Sequence, residues 1–163
     1  MHIIKENLVR EVVDLLKEKQ LTIASAESCT GGLFADSIIS LPGTSQVFDR
    51  AIVTYSNRAK MEEVGVLEET LEKFGAVSSQ TAVEMASGLA KVSKCDICIS
   101  VTGIAGPDGG SPEKPVGLVY MCVHYNDEDI WEKHIFENME RNAVRQNSVI
   151  KMLQLVLKVL GDE

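Results

Sequence analysis

Segments with helical apolar spacing alternate with short β-prone runs along most of this chain, and few folds accommodate that alternation. Glu6–Lys19 places Leu8, Val9, Val12, Val13, Leu15 and Leu16 on one helical face, with charged residues opposite. Leu21–Ala26 reads as a short strand. Thr30–Leu41 reads as a helix entered through Gly31-Gly32 and stopped by Pro42-Gly43. Ala51–Tyr55 is the next strand, and Asn57–Val64 and Leu67–Phe74 are short helices. Thr81–Lys91 forms a further helix, capped by Ser78 or Ser79, with Glu84 in its first turn. Asp96–Val101 is a compact apolar strand that runs into the glycine-rich stretch Thr102–Gly117. Val116–Tyr125 is a longer strand, and a turn at Asn126–Asp129 sends Ile130–Phe136 back antiparallel. A final helix covers Glu140–Leu160.

Strands that alternate with helices favour a parallel sheet covered on both faces. The expectation is an α/β chain, a three-layer α/β/α sandwich with a mixed, mostly parallel sheet of about five strands. The 163 residues contain no repeat, low-complexity tract or linker, so residues 1–163 read as one domain. An apolar fraction of 45% suffices for one sizeable core.

The net charge of −8 and the lack of a basic face argue against nucleic acid as a partner. No apolar run approaches the ~20 residues of a membrane span, and Met1–Arg10 has no signal-peptide core. A cytoplasmic location is therefore expected. Cys95 and Cys98 have C-x-x-C spacing, but no second pair exists and His2, His124 and His134 are scattered. Both cysteines flank an apolar run, where cysteine behaves as a small hydrophobe.

Three loops carry the polar chemistry. Ala26–Gly32 joins a strand to a helix, the position where open α/β sheets bind ligands. The free N–H groups of a helix start suit an anion there. Judged alone, Ser28 or Thr30 is equally a helix cap, and Gly31 and Gly32 serve a tight turn. The second loop, Gly43–Lys60, brackets a strand with Ser45 on one side and Tyr55 and Lys60 on the other. A serine and a lysine can act as nucleophile and base once the lysine pKa is lowered. Tyr55 is a candidate to relay the proton or orient the lysine. The third loop, Thr102–Gly117, has glycines that let backbone approach a ligand and prolines that stiffen the excursion. Asp108 and Glu113 within it are weak candidates for a metal. Arg141 and Arg145, four apart, share one face of the last helix and suit a phosphate.

Taken together, Ala26-Glu-Ser-Cys-Thr-Gly-Gly32, Tyr55-Ser-Asn57 with Lys60, Gly75-Ala-Val-Ser78 with Glu84-Met-Ala86, and Thr102-Gly-Ile-Ala-Gly-Pro-Asp-Gly-Gly110 through Lys114-Pro-Val-Gly117 resemble the CinA C-terminal domain family. Its characterised members include nicotinamide mononucleotide amidohydrolases. The resemblance spans nearly the whole chain and implies a stand-alone domain of that kind. It implies hydrolysis of the mononucleotide carboxamide to nicotinate mononucleotide and ammonia, with no metal and no cofactor. It assigns Ser45 as nucleophile, Lys60 as general base and Tyr55 as a supporting relay, with Ser28 as the rival nucleophile. Ser28, Thr30, Gly31, Thr102, Gly103 and Gly106 fall at substrate-binding positions, with Gly103–Gly106 backbone suited to an oxyanion hole. Arg141 matches the arginine that meets the nucleotide phosphate, and Arg145 is a second candidate. The expected partners are a small nucleotide substrate and further copies of the chain as a homo-oligomer. A non-catalytic nucleotide-binding or regulatory domain is the alternative. One departure stands out: Met139-Glu140 precedes the first arginine where family members often read Gly-Asp.

Overall fold

The structure is a computed structural model that describes residues 3–161; His2 lies outside them. Six helices, a short 3-10 turn and five strands follow in the order α1 (Glu6–Lys19), β1 (Ile23–Glu27), α2 (Leu33–Ile39), the 3-10 turn Thr44–Gln46, β2 (Phe48–Val53), α3 (Asn57–Val64), α4 (Glu68–Phe74), α5 (Ser79–Ser93), β3 (Ile97–Gly103), β4 (Leu118–Tyr125), β5 (Glu128–Ile135) and α6 (Arg141–Gly161). The strands form one sheet in the order β2-β1-β3-β4-β5. β1 is parallel to β2 and β3, whereas β4 is antiparallel to both β3 and β5. The mixed five-stranded sheet thus matches expectation, with its pairings divided evenly between the two directions.

The alternation of side chains along β3 builds both cores. Ile97, Ile99 and Val101 join Val12, Leu16, Phe34, Met152 and Leu153 on the face covered by α1, α2 and α6. Cys98 faces the other way and packs with Ala24, Ala26, Met85 and Leu89 under α3, α4 and α5. On α1, Val9, Val12, Val13 and Leu16 are the buried stripe that the spacing predicts. Truncating a fully buried residue such as Leu16 to Ala costs about 2–5 kcal/mol in cores of this kind.

Some boundaries shift. β2 starts three residues earlier than expected, because Phe48–Val53 pairs with β1 from Ile23 onward. α5 starts at Ser79 with Ser78 as its cap, whose hydroxyl accepts from the Thr81 N–H at 3.1 Å. Glu84 therefore sits beyond the first turn and instead accepts from the Leu67 N–H at 3.0 Å, tying α5 to the start of α4. No helix among the described residues is long and apolar enough to cross a membrane. All four cysteines are free thiols, and no cluster of three or more metal-ligating side chains occurs among the described residues.

Candidate active site

The carboxyl ends of β1, β2 and β3 meet at one edge of the molecule. The Ser28 N–H donates to the Val101 carbonyl at 3.1 Å, and the Thr54 N–H donates to the Glu27 carbonyl at 2.9 Å. These bonds extend the parallel ladder past the strands and bring the three outgoing loops together.

After β1 the chain turns sharply through Gly31 (φ +55) and Gly32 (φ +98), left-handed conformations that glycine adopts without strain. For that reason α2 starts at Leu33 rather than Thr30. Gly32 occupies the cap position and has no side chain to offer the first N–H groups of α2. Glu27 takes that role. Its fully buried carboxylate accepts from the N–H of Phe34 at 2.9 Å and of Ala35 at 3.2 Å. It also accepts from the hydroxyls of Thr30 at 2.7 Å and Ser25 at 3.0 Å. Four donors and the positive end of a helix offset its desolvation. The sequence reading passed over Glu27. The available signal was an acid ending an apolar strand directly before a small-residue turn.

Ser28 stands on this anchored turn, and Lys60 reaches it from α3. Ser56 caps α3 by accepting from the Ala59 N–H at 3.0 Å, which sets Lys60 on the inward face with Val64 one turn later. Lys60 is 1% exposed. Its Nζ lies 3.2 Å from Ser28 Oγ, 2.8 Å from the Thr54 carbonyl and 3.4 Å from the Tyr55 carbonyl. Burial pulls its pKa from 10.5 down to about 8. A neutral lysine amine has two N–H donors and one lone pair. With both donors directed at carbonyls, the lone pair is left for the Ser28 hydroxyl. That is the arrangement of a nucleophile and its base. The neighbouring Cys29 thiol is pushed by burial up to about 12, so it remains a neutral thiol.

Ser45 is not part of this arrangement. It is an exposed residue of the 3-10 turn before β2, whereas Lys60 follows β2. Six strand residues at ~3.3 Å each place the two at opposite ends of the sheet, about 20 Å apart. The expected Ser45–Lys60 contact is therefore not formed, and Ser28 occupies the position beside the lysine. Tyr55 differs from expectation as well. Its carbonyl, not its hydroxyl, faces Lys60, and the hydroxyl accepts from Arg141 Nη2 at 3.2 Å. Tyr55 is 65% exposed and forms a wall of the cavity.

A cavity of about 300 Å³ opens over the pair, lined by Ser28, Lys60, Tyr55, Thr102, Asp108 and Arg141 together with the Gly103–Gly106 backbone. This is at the small end of the range for ligand sites. Thr102 is steadied by donating its hydroxyl to the Ala76 carbonyl at 2.8 Å. Gly103 is required by close packing, since a Cβ there would lie 2.7 Å from Val119 Cγ2. Arg141 Nη1 donates to the Gly106 carbonyl at 2.7 Å, which holds the glycine-rich loop against α6. Arg145 turns away from the cavity. Its Nε and Nη2 donate to the carbonyls of Cys29 at 3.0 Å and Thr30 at 2.9 Å. It braces the Ser28 turn, as does Thr30 through Glu27, so neither residue lines the cavity. Met139-Glu140 leads directly into α6: the Glu140 carbonyl accepts from the Val144 N–H at 3.0 Å, and the helix starts at Arg141.

The profile of the CinA C-terminal domain matches residues 5–160 of this chain. The chain belongs to the CinA C-terminal domain family. Over 156 residues it is 49% identical to a CinA-like protein of Kosmotoga olearia, covering 96% of this chain and 38% of that protein. Over 142 residues it is 56% identical to a putative competence-damage inducible protein of Clostridioides difficile, covering 87% of this chain and 34% of that one. The chain thus spans little more than a third of the length of these relatives. The crystal structure of the competence/damage inducible protein CihA from Agrobacterium tumefaciens superposes with a TM-score of 0.93 at 39% identity, covering 99% of both chains. The buried Ser28–Lys60 pair and Arg141 both line the cavity of this fold.

Proposed function

We propose that this chain is an amidohydrolase that converts nicotinamide mononucleotide to nicotinate mononucleotide and ammonia in pyridine nucleotide recycling, with Ser28 as nucleophile and Lys60 as general base. The observation that carries this reading is the 3.2 Å approach of Lys60 Nζ to Ser28 Oγ, with the other lysine donors committed to carbonyls. Family membership supports the substrate class.

The steps follow from those atoms. Neutral Lys60 accepts the Ser28 proton as Oγ bonds to the carboxamide carbon. Backbone N–H groups of the Gly103–Gly106 segment stabilise the oxyanion. The C–N bond then breaks as the Lys60 ammonium returns the proton to the leaving nitrogen, and ammonia departs. Water enters, gives a proton to Lys60 and attacks the acyl-enzyme ester. The Oγ–C bond breaks, Ser28 recovers its proton, and nicotinate mononucleotide is released. No metal is needed for these steps. Arg141, which lines the cavity, is the proposed partner of the phosphate.

Ammonia release by the purified chain, measured with the mononucleotide, its riboside and free nicotinamide, tests the proposal. Turnover is expected with the mononucleotide and a large loss of kcat/KM without the phosphate. Thermal stabilisation by the mononucleotide with no ammonia release would replace the enzyme reading with a nucleotide-binding one.

A further inference from the structure

β5 is an outer strand of the sheet, eight residues long, with charged side chains of both signs along it. It contains no proline, and Trp131 and Ile135 on it are 48% and 45% exposed. Ile130, Glu132 and His134, which alternate with the outward side chains, are half-buried, and Lys158 of α6 reaches Glu132 at 3.5 Å. The face that carries Trp131 and Ile135 is covered only in part by α5. Tyr120 of β4 lies alongside, its ring centroid 6.1 Å from that of Trp131.

The β4–β5 turn fixes which backbone groups are free. Asn126 and Asp127 have φ of +53 and +60, the pattern of a two-residue type I′ turn. The closing pair Tyr125–Glu128 is then hydrogen-bonded, and bonded pairs recur at every second residue. Ile130, Glu132 and His134 therefore spend their N–H and C=O on β4. The next residue of that series obeys the rule, since the Phe136 N–H donates to the Gly117 carbonyl at 2.9 Å. Asp129, Trp131 and Lys133 direct theirs outward.

We propose that a second copy of this chain pairs antiparallel along β5, with the twofold axis at Trp131, to give a continuous ten-stranded sheet. Charge complementarity selects both the occupant and the register. About an axis at Trp131, Asp129 lies opposite Lys133 of the partner subunit, and Lys133 lies opposite the partner's Asp129. Trp131 then meets its own copy, and Glu128 falls opposite the partner's His134. Of the two neighbouring allowed registers, the one with its axis at Glu132 sets Glu132 against the same carboxylate of the other copy and loses both Asp–Lys pairs, and the one with its axis at Ile130 breaks the Asp129–Lys133 pairing and sets Glu128 opposite the partner's Glu132. Like charges directly opposite are destabilising, whereas opposite charges and aromatic pairs stabilise. An isologous contact of this kind closes after two subunits. It uses the only tryptophan in the chain, and it lies apart from the Ser28–Lys60 site.

Sedimentation at micromolar concentration, read together with the Trp131 emission maximum, tests this. The wild type is expected at twice the 17.8 kDa chain mass, with emission shifting to the red on dilution. Lys133→Asp places two carboxylates opposite each other and is expected to give monomers. Asp129→Lys combined with Lys133→Asp swaps the charges and is expected to restore the dimer. Trp131→Pro removes an outward N–H while sparing the β4 ladder, and is also expected to give a monomer with native circular dichroism. A wild type that stays monomeric overturns the proposal, as does a dimer indifferent to Lys133→Asp and Trp131→Pro. A folded double variant that stays monomeric overturns the register. If the double variant fails to fold, Lys133→Asp and Trp131→Pro decide.

Discussion

Lys60 Nζ and Ser28 Oγ, 32 residues apart in sequence, lie 3.2 Å apart inside the protein, and each is held there by a different helix start. Ser28 precedes α2 and Lys60 sits in the first turns of α3. Two caps, Glu27 for α2 and Ser56 for α3, therefore set the distance on which the proposed chemistry depends.

The pH dependence of turnover follows from the lysine. Burial lowers its pKa to about 8, and only the neutral amine can take the serine proton. kcat/KM is expected to rise tenfold per pH unit below about 8 and to level off above it. At pH 7 roughly a tenth of Lys60 is neutral, about 300-fold more than for a lysine at 10.5. A profile still rising through pH 10 would show that Lys60 is not the base. Lys60→Arg is expected to abolish turnover, because a guanidinium does not deprotonate.

In the proposed mechanism Glu27 positions the nucleophile from outside the cavity lining. Glu27→Gln keeps the shape but replaces an acceptor oxygen with a donor NH₂ group, leaving at least one of four buried donors unmatched. A stability loss of about 1–3 kcal/mol is expected, with kcat falling more than KM changes. Chemical denaturation and steady-state kinetics on the same variant check both.

The two arginines of α6 are expected to separate. Arg141 lines the cavity, so Arg141→Ala should raise KM for the mononucleotide about 10- to 100-fold, the value of one charge-assisted contact of about 1.5–3 kcal/mol. KM for the riboside should change much less. Arg145→Ala removes the brace from the Cys29 and Thr30 carbonyls and should lower Tm and kcat for both substrates alike. Equal effects of Arg141→Ala on both substrates would show that it does not meet the phosphate.

The layers of the fold were legible because apolar spacing reports burial directly: the stripe on α1 and the apolar side chains of the run Ile97–Val101 fill the core. The site was legible only as a set of loops. Ser45 and Lys60 flank one strand and look close in sequence, yet a strand separates what it connects. Ser28 and Lys60 are brought together by the parallel pairing of β1 with β2, which no local pattern encodes. Arg145 carried the right charge on the right face, but helix spacing does not say which carbonyls a guanidinium will find. Glu27 was passed over because two of its partners are backbone N–H groups, which sequence does not display.

The nucleophile is the centre of the account, and ammonia release by Ser28→Ala and Ser45→Ala, assayed side by side with nicotinamide mononucleotide, tests it most directly. Ser28→Ala is expected to lose on the order of 10³-fold or more in kcat while remaining folded, and Ser45→Ala to stay within about twofold of wild type, as expected for an exposed residue away from the site. Near-wild-type turnover by Ser28→Ala, with activity lost in Ser45→Ala, would contradict the assignment.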